Sequence, residues 1–192
     1  MVKVTLIAII LSSIFSSCKP KQQYNSPTED ELNEVANAFL NADYSELINT
    51  TDSIEYKIIV ASTLAPIFFT KQVNDCNINC YDYNDFFSPN HKTANFTQED
   101  ISYLNFQLLD TTSHLFELSG SSYFELLDAD DLIKKKISFI HLSKPYFSKN
   151  HNNAFIEKTY VCYGLCGICT RYYLQKVDGK WEVIDTQLIW IS

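Results

Sequence analysis

Glycine is scarce, with 4 in 192 residues, and none of them forms part of a Gly-rich phosphate loop. No GxSxG elbow and no HExxH pair occurs, so no motif designates a catalytic residue. His91, His114, His141 and His151 are too scattered to suggest a metal site, so neither a metal nor a cofactor is expected. Basic charge is also short. Fifteen Lys+Arg stand against 23 Asp+Glu, a formal charge of −8, whereas binding a phosphate backbone takes a basic stripe, so nucleic acid is excluded as a partner. The one basic run, Lys134-Lys135-Lys136, follows Asp128, Asp130 and Asp131, the charge order that complements the dipole of a short helix. Those acids lack the Gly and distant Glu of a calcium loop and read as a helix start. Low glycine beside 14% aromatic residues excludes a disordered stalk.

What is present begins at the N-terminus. Lys3 opens the chain, Val4 to Phe15 is apolar, and Ser16 and Ser17 precede Cys18. The apolar run is about 12 residues where a spanning helix takes roughly 20, so it reads as a cleavable export signal. Small residues followed by cysteine resemble the lipobox of bacterial lipoproteins, and Phe15, where leucine is commonest, resembles the looser Bacteroidota pattern. That resemblance implies cleavage before Cys18 and acylation of it; two or three chains at about 0.8 kcal/mol per buried methylene anchor stably. A plain secretory signal cut near Ser17 is the alternative. The expected organisation is a lipoprotein signal at 1–17, a lipidated tether at 18–27 and a single α+β domain at 28–192. Removing 1–17 takes one lysine and no acid, so the formal charge moves from −8 to −9. Lys19 and Lys21 stand where surface-exposed Bacteroidota lipoproteins carry acids. By that resemblance the protein faces the periplasm from the outer membrane, with the membrane itself as partner through the lipid.

The expected fold class is α+β, with N-terminal helices packed on a C-terminal antiparallel β-meander. Thr28 and Glu31 form a capping box ahead of Leu32, Val35, Ala36, Phe39 and Leu40, which repeat at helical spacing. Thr97 and Asp100 repeat the device, with Phe96 and Ile101 as a hydrophobic staple and Ile101, Leu104 and Leu108 as the buried face. Residues 54–69 read as a strand or a buried helix ending before Pro66, and periodicity does not choose between them. From Lys136 on, ISFIHLS, AFIEKTYVC, TRYYLQKV and KWEVIDTQLIWI are β-branched and aromatic, with a hairpin turn at Asp178-Gly179 and another turn at 150–153.

Five cysteines remain beyond Cys18: Cys76 and Cys80 in CNINC, and Cys162, Cys166 and Cys169 in CYGLCGIC. In an exported protein these read as disulfides. Cys162 with Cys166 and Cys76 with Cys80 are the simplest of several pairings, leaving Cys169 as a free thiol inside a strand. The spacing CxxxCxxC resembles the cluster motif of radical-SAM enzymes, but Ile168 replaces the usual aromatic and the motif lies near the C-terminus. A zinc site joining the two cysteine groups is a further alternative.

The stretch from Leu142 to Ser192, with LSKPYFS, CYGLCG, RYYLQKVDGKWEV and LIWIS, resembles Bacteroidota lipoproteins whose C-terminal β-meander carries a CxxxCG loop. That resemblance implies compartment and meander, and brings no activity with it. Asp52-Ser53-Ile54 and Asp110-Thr111-Thr112 resemble short O-glycosylation acceptors of that phylum. Two function classes follow. One is a non-catalytic envelope module binding a protein or glycan through Tyr81, Tyr83, Phe86 and Phe87 and through Tyr163 beside Leu165; a lid over the core is the plainer reading of these aromatics. The other is a thiol enzyme or redox protein using Cys169, with Arg171 beside it, or a CxxxC pair.

Overall fold

A computed structural model describes residues 24–45, 57–67, 96–120, 122–163 and 166–192. Helix α1 (Glu29–Asp43) starts where its capping box closes: the Glu31 amide donates to Thr28 Oγ1 at 3.2 Å, and the Thr28 amide donates to Glu31 Oε2 at 2.8 Å. Leu32, Val35, Ala36, Phe39 and Leu40 are all buried, so the apolar face lies where the spacing puts it. Helix α2 (Gln98–Leu108) carries the same cap between Thr97 and Asp100. Its buried face is rotated from the expected one, with Tyr103, Leu104 and Gln107 buried while Ile101 and Leu108 are half-buried. Gln107 takes a core position because its amide completes an open stretch of backbone. Its Nε2 donates to the Phe147 carbonyl at 2.7 Å and its Oε1 accepts from the Phe147 amide at 2.9 Å.

Eight strands form one sheet: β1 (Ile58–Ala65), β2 (His114–Leu115), β3 (Phe124–Leu127), β4 (Phe139–Ser143), β5 (Tyr146–Phe147), β6 (Asn153–Val161), β7 (Gly167–Val177) and β8 (Lys180–Ile191). Helix α3 (Ala129–Lys135) lies between β3 and β4, capped by Asp128 and closed by Lys136 at a left-handed φ of 60°. The strand order is β2-β1-β4-β6-β7-β8, with β3 also paired to β1 and β5 to β6. The β6–β7–β8 meander is antiparallel, and its second hairpin turns at Asp178 and Gly179, whose φ values of 49° and 78° need the turn residues found there.

This corrects the expected fold class. The described chain is mostly β, a mixed eight-stranded sheet with three short helices, and not helices resting on a separate antiparallel meander. The stretch that periodicity left open is strand β1, which ends before Pro66 and joins β3 and β4 in parallel. Two further strands are only two residues long, too short to carry any periodicity, and exist because longer partners hold them.

The sheet has two unlike faces. On the first, Val60, Leu64, Ile140, Leu142, Ile156, Tyr172 and Leu174 pack under α1 in the main core. On the second, α3 covers a cluster of Ala61, Leu132 and Phe139, while Leu104 of α2 joins Tyr146, Phe155 and Tyr173 in another. Between those two clusters the second face is polar.

Candidate functional site

Among the described residues, a cavity with a largely apolar lining lies where residues 26 and 27 lead into α1. It is a half-open cleft of about 320 Å³. Pro27, Leu32, Phe106 and Pro145 supply its apolar wall, and Gln107, Asp110, His114 and Lys144 its polar one. Leu109, on the cleft wall, stands 81% exposed; Leu115 is 76% exposed but follows His114 on β2, where strand alternation turns it away from the cleft.

The polar wall is a locked arrangement. Lys144 is only 4% exposed. Its ammonium donates to Asp110 Oδ2 at 2.7 Å and to the Asp110 carbonyl, one residue past the C-cap of α2. Asp110 Oδ1 accepts from the Thr112 amide at 3.0 Å and from its hydroxyl at 2.6 Å. Burial would raise the Asp110 carboxyl, but the bonds from Lys144 and Thr112 outweigh it and hold the group far below the usual carboxylate range. His114 sits 3.7 Å from Asp110 and 3.8 Å from Glu29. A buried lysine already neutralised by its partner makes a rigid wall and a poor nucleophile.

A second arrangement ties the helices to the sheet beside this cleft. His151, at the turn between β5 and β6, bonds Glu31 at 2.7 Å through Nδ1 and the Tyr103 hydroxyl at 2.8 Å through Nε2. Tyr103 in turn donates to the Asn25 carbonyl at 2.7 Å. Burial first, and the Glu31 charge second, push the Tyr103 phenol up to about 12. The group acts as a clasp joining α1, α2 and the chain entry.

Of the residues singled out by sequence, Cys18, Cys76, Cys80, Tyr81, Tyr83, Phe86 and Phe87 lie outside the described residues, as does the Asp52-Ser53 acceptor. Cys162 and Cys166 form a disulfide with Cα atoms 5.5 Å apart, closing the loop between β6 and β7. At Gly167, just beyond it, a Cβ would meet the Trp190 ring at 2.9 Å, which explains the glycine of CxxxCG. Tyr163 is 63% exposed, with Lys136 Nζ 5.0 Å from its ring centre. It stands at the loop by β6 and β7, apart from the cleft.

Cys169 is a free, buried thiol, 2% exposed. Arg171 does face the same way, but its guanidinium is bound to Glu157, with Nε 3.0 Å from Oε1. Burial, and then the charge of Glu157, push the Cys169 thiol up to about 11, the reverse of what a nucleophilic cysteine needs. With Cys162 and Cys166 joined to each other, neither presents a thiolate for zinc. Among the described residues no group of three or more His, Cys, Asp or Glu is placed to hold a metal ion, and no helix is long and apolar enough to cross a membrane.

Sequence reading missed the cleft because four separate segments build it, and no spacing within any one of them marks it. The nearest signal was Lys144 next to Pro145 in an apolar stretch, a charge that has to be paired once buried. No protein-family profile, curated protein or solved structure matches the chain.

Proposed function

We propose that the protein is a lipid-anchored binding module of a bacterial cell envelope, held through Cys18 on the periplasmic side of the outer membrane. In this reading it docks a partner protein and catalyses no reaction. The observation that carries it is the cleft with the exposed Leu109 on its wall. An apolar wall beside a polar one suits a protein–protein contact, and the polar wall is already neutralised, so it sets position and draws no ion of either sign. Ser26 lines the cleft as well. It stands eight residues beyond Cys18, a reach of at most about 30 Å, so a partner seated here would be close to the membrane surface. The thiol-enzyme and zinc readings find no support in the described cysteines, for the reasons of burial, charge and pairing given above.

Two measurements test this reading separately. Intact mass of the membrane-extracted protein reports whether Cys18 is acylated; an unmodified cysteine, or a mature chain starting elsewhere, overturns the anchor. A photoreactive residue placed at 109 in cells is expected to crosslink one discrete envelope protein. The same residue at 133 on α3, where Ile133 is 62% exposed, serves as the comparison. Equal crosslinking from both positions, or none from 109, overturns docking at the cleft.

A further inference from the structure

The second face of the sheet breaks the usual rule for a covered surface. Between its two apolar clusters, three neighbouring strands place polar side chains in two rows. His141 of β4, Thr159 of β6 and Cys169 of β7 are paired across the strands in one row. Ser143, Glu157 and Arg171 make the next, with Glu157 directly opposite Arg171. A cavity of about 250 Å³ opens over these rows, lined by His141, Ser143, Glu157 and Thr159 and, from β1 and just beyond it, by Ala65, Pro66 and Ile67.

Polar groups withdrawn from water are costly unless paired, so the accounting of partners is informative. Ser143 Oγ donates to the Lys144 carbonyl at 3.0 Å and accepts from the Glu157 amide at 2.9 Å. Glu157 Oε1 is held by Arg171, while among the described residues Oε2 has only the Cys169 thiol at 3.9 Å. His141 makes no hydrogen bond among the described residues, although burial lowers its pKa and so favours the neutral ring with one donor and one acceptor. The cavity therefore offers an imidazole with no partner among the described residues, a carboxylate edge and the open acceptor side of the Thr159 hydroxyl, which also bonds the Cys169 thiol, beside the apolar Ala65, Pro66 and Ile67.

We infer that this cavity binds a neutral, polyhydroxylated ligand the size of one sugar ring. Glu157 and Arg171 cancel each other, and His141 adds no charge, so an anion would meet a carboxylate with no spare cation. A cation would meet a carboxylate already neutralised. An apolar ligand would leave His141 and Glu157 Oε2 unpaired. A pyranose supplies what remains: hydroxyls that donate to the carboxylate and exchange bonds with imidazole and threonine, and a C–H face for Pro66 and Ile67. The volume is below the roughly 300–1,000 Å³ of sites for larger ligands, which limits the occupant to a single ring. The inference does not depend on docking at the cleft or on the lipid anchor.

The test is saturation-transfer NMR on the full-length protein in detergent, with free glucose, galactose and N-acetylglucosamine as probes and inorganic phosphate as competitor. Saturation of at least one sugar is expected, unaffected by phosphate. His141→Leu and Thr159→Val each remove one partner and should weaken binding about tenfold, the effect of one lost hydrogen bond in a confined site. Glu157→Gln also disturbs Arg171, so the first two variants decide the matter, with an unchanged melting temperature as the folding control. No transfer from any of the three sugars, transfer unchanged in both variants, or displacement by phosphate would each overturn the inference.

Discussion

The two faces of the single sheet are made from the same strands, residue by residue in alternation, yet they do different work. Under α1 the first face is almost entirely aliphatic and aromatic, and Phe39 and Tyr172 meet with ring centres 4.5 Å apart. The second face interrupts its apolar clusters with an ion pair, a histidine, two hydroxyls and a thiol. The first maximises area removed from water, and its half-buried charge, Lys158, is tied to Asp43 of α1 at 2.6 Å. The second accepts a polar strip that hydrophobic packing alone would have replaced. A face that departs from the simplest packing where a cavity opens is the more informative place to look for binding.

The contrast can be broken from either side. The largest loss is expected from Phe39→Ala, which opens a cavity in the first face where the ring is fully buried; about 3–5 kcal/mol should disappear from the urea-unfolding free energy. On the second face, Arg171→Ala strands the Glu157 carboxylate, whose side chain is 13% exposed, and is expected to cost about 3 kcal/mol. Arg171→Met with Glu157→Leu should restore most of that stability. A double variant no better than Arg171→Ala would show that the polar strip supports the fold more than the ion-pair account allows. Serine at both Cys162 and Cys166 opens only a short loop and should cost about 2 kcal/mol, read as a lower urea midpoint with an unchanged slope.

The pH dependence should sharpen the same comparison with smaller effects near neutrality. Tyr103 and Tyr146 are pushed up to about 12 and Cys169 to about 11, in each case chiefly by burial. The folded protein therefore holds those protons more tightly than the unfolded chain. Their contribution is complete below the unfolded pKa values, and stability is expected to fall as pH rises from about 9 toward 12. Asp110 and Glu31 are lowered, Glu31 by bonds from Thr28 and His151 that outweigh its burial. Their contribution is present above the ordinary carboxylate range and lost as pH drops below it. Urea midpoints measured from pH 3 to 11 should decline at both ends, and Tyr146→Phe should flatten the alkaline limb.

Local chemistry was legible in the chain. Both capping boxes, the face of α1, the Asp128 cap with its trailing lysines and the Asp178-Gly179 turn are where short-range rules put them, because each is decided by residues within a few positions of one another. The export signal proposed above is a local reading of the same kind, resting on residues 3–18 alone. The fold class was not legible. An eight-residue apolar stretch before Pro66 satisfies strand and helix alike, and only its pairing with β3 and β4 makes it strand. The face of α2 could not be read either, since Gln107 becomes a core residue only once Phe147 lies against it. Tertiary structure alone also joined Lys144 to Asp110 across the cleft and set Glu157 against Arg171, pairs separated by 34 and 14 positions. The physical reason is range: caps and turns are satisfied within one stretch of backbone, whereas a cavity and a buried charge are defined by whichever distant segments surround them.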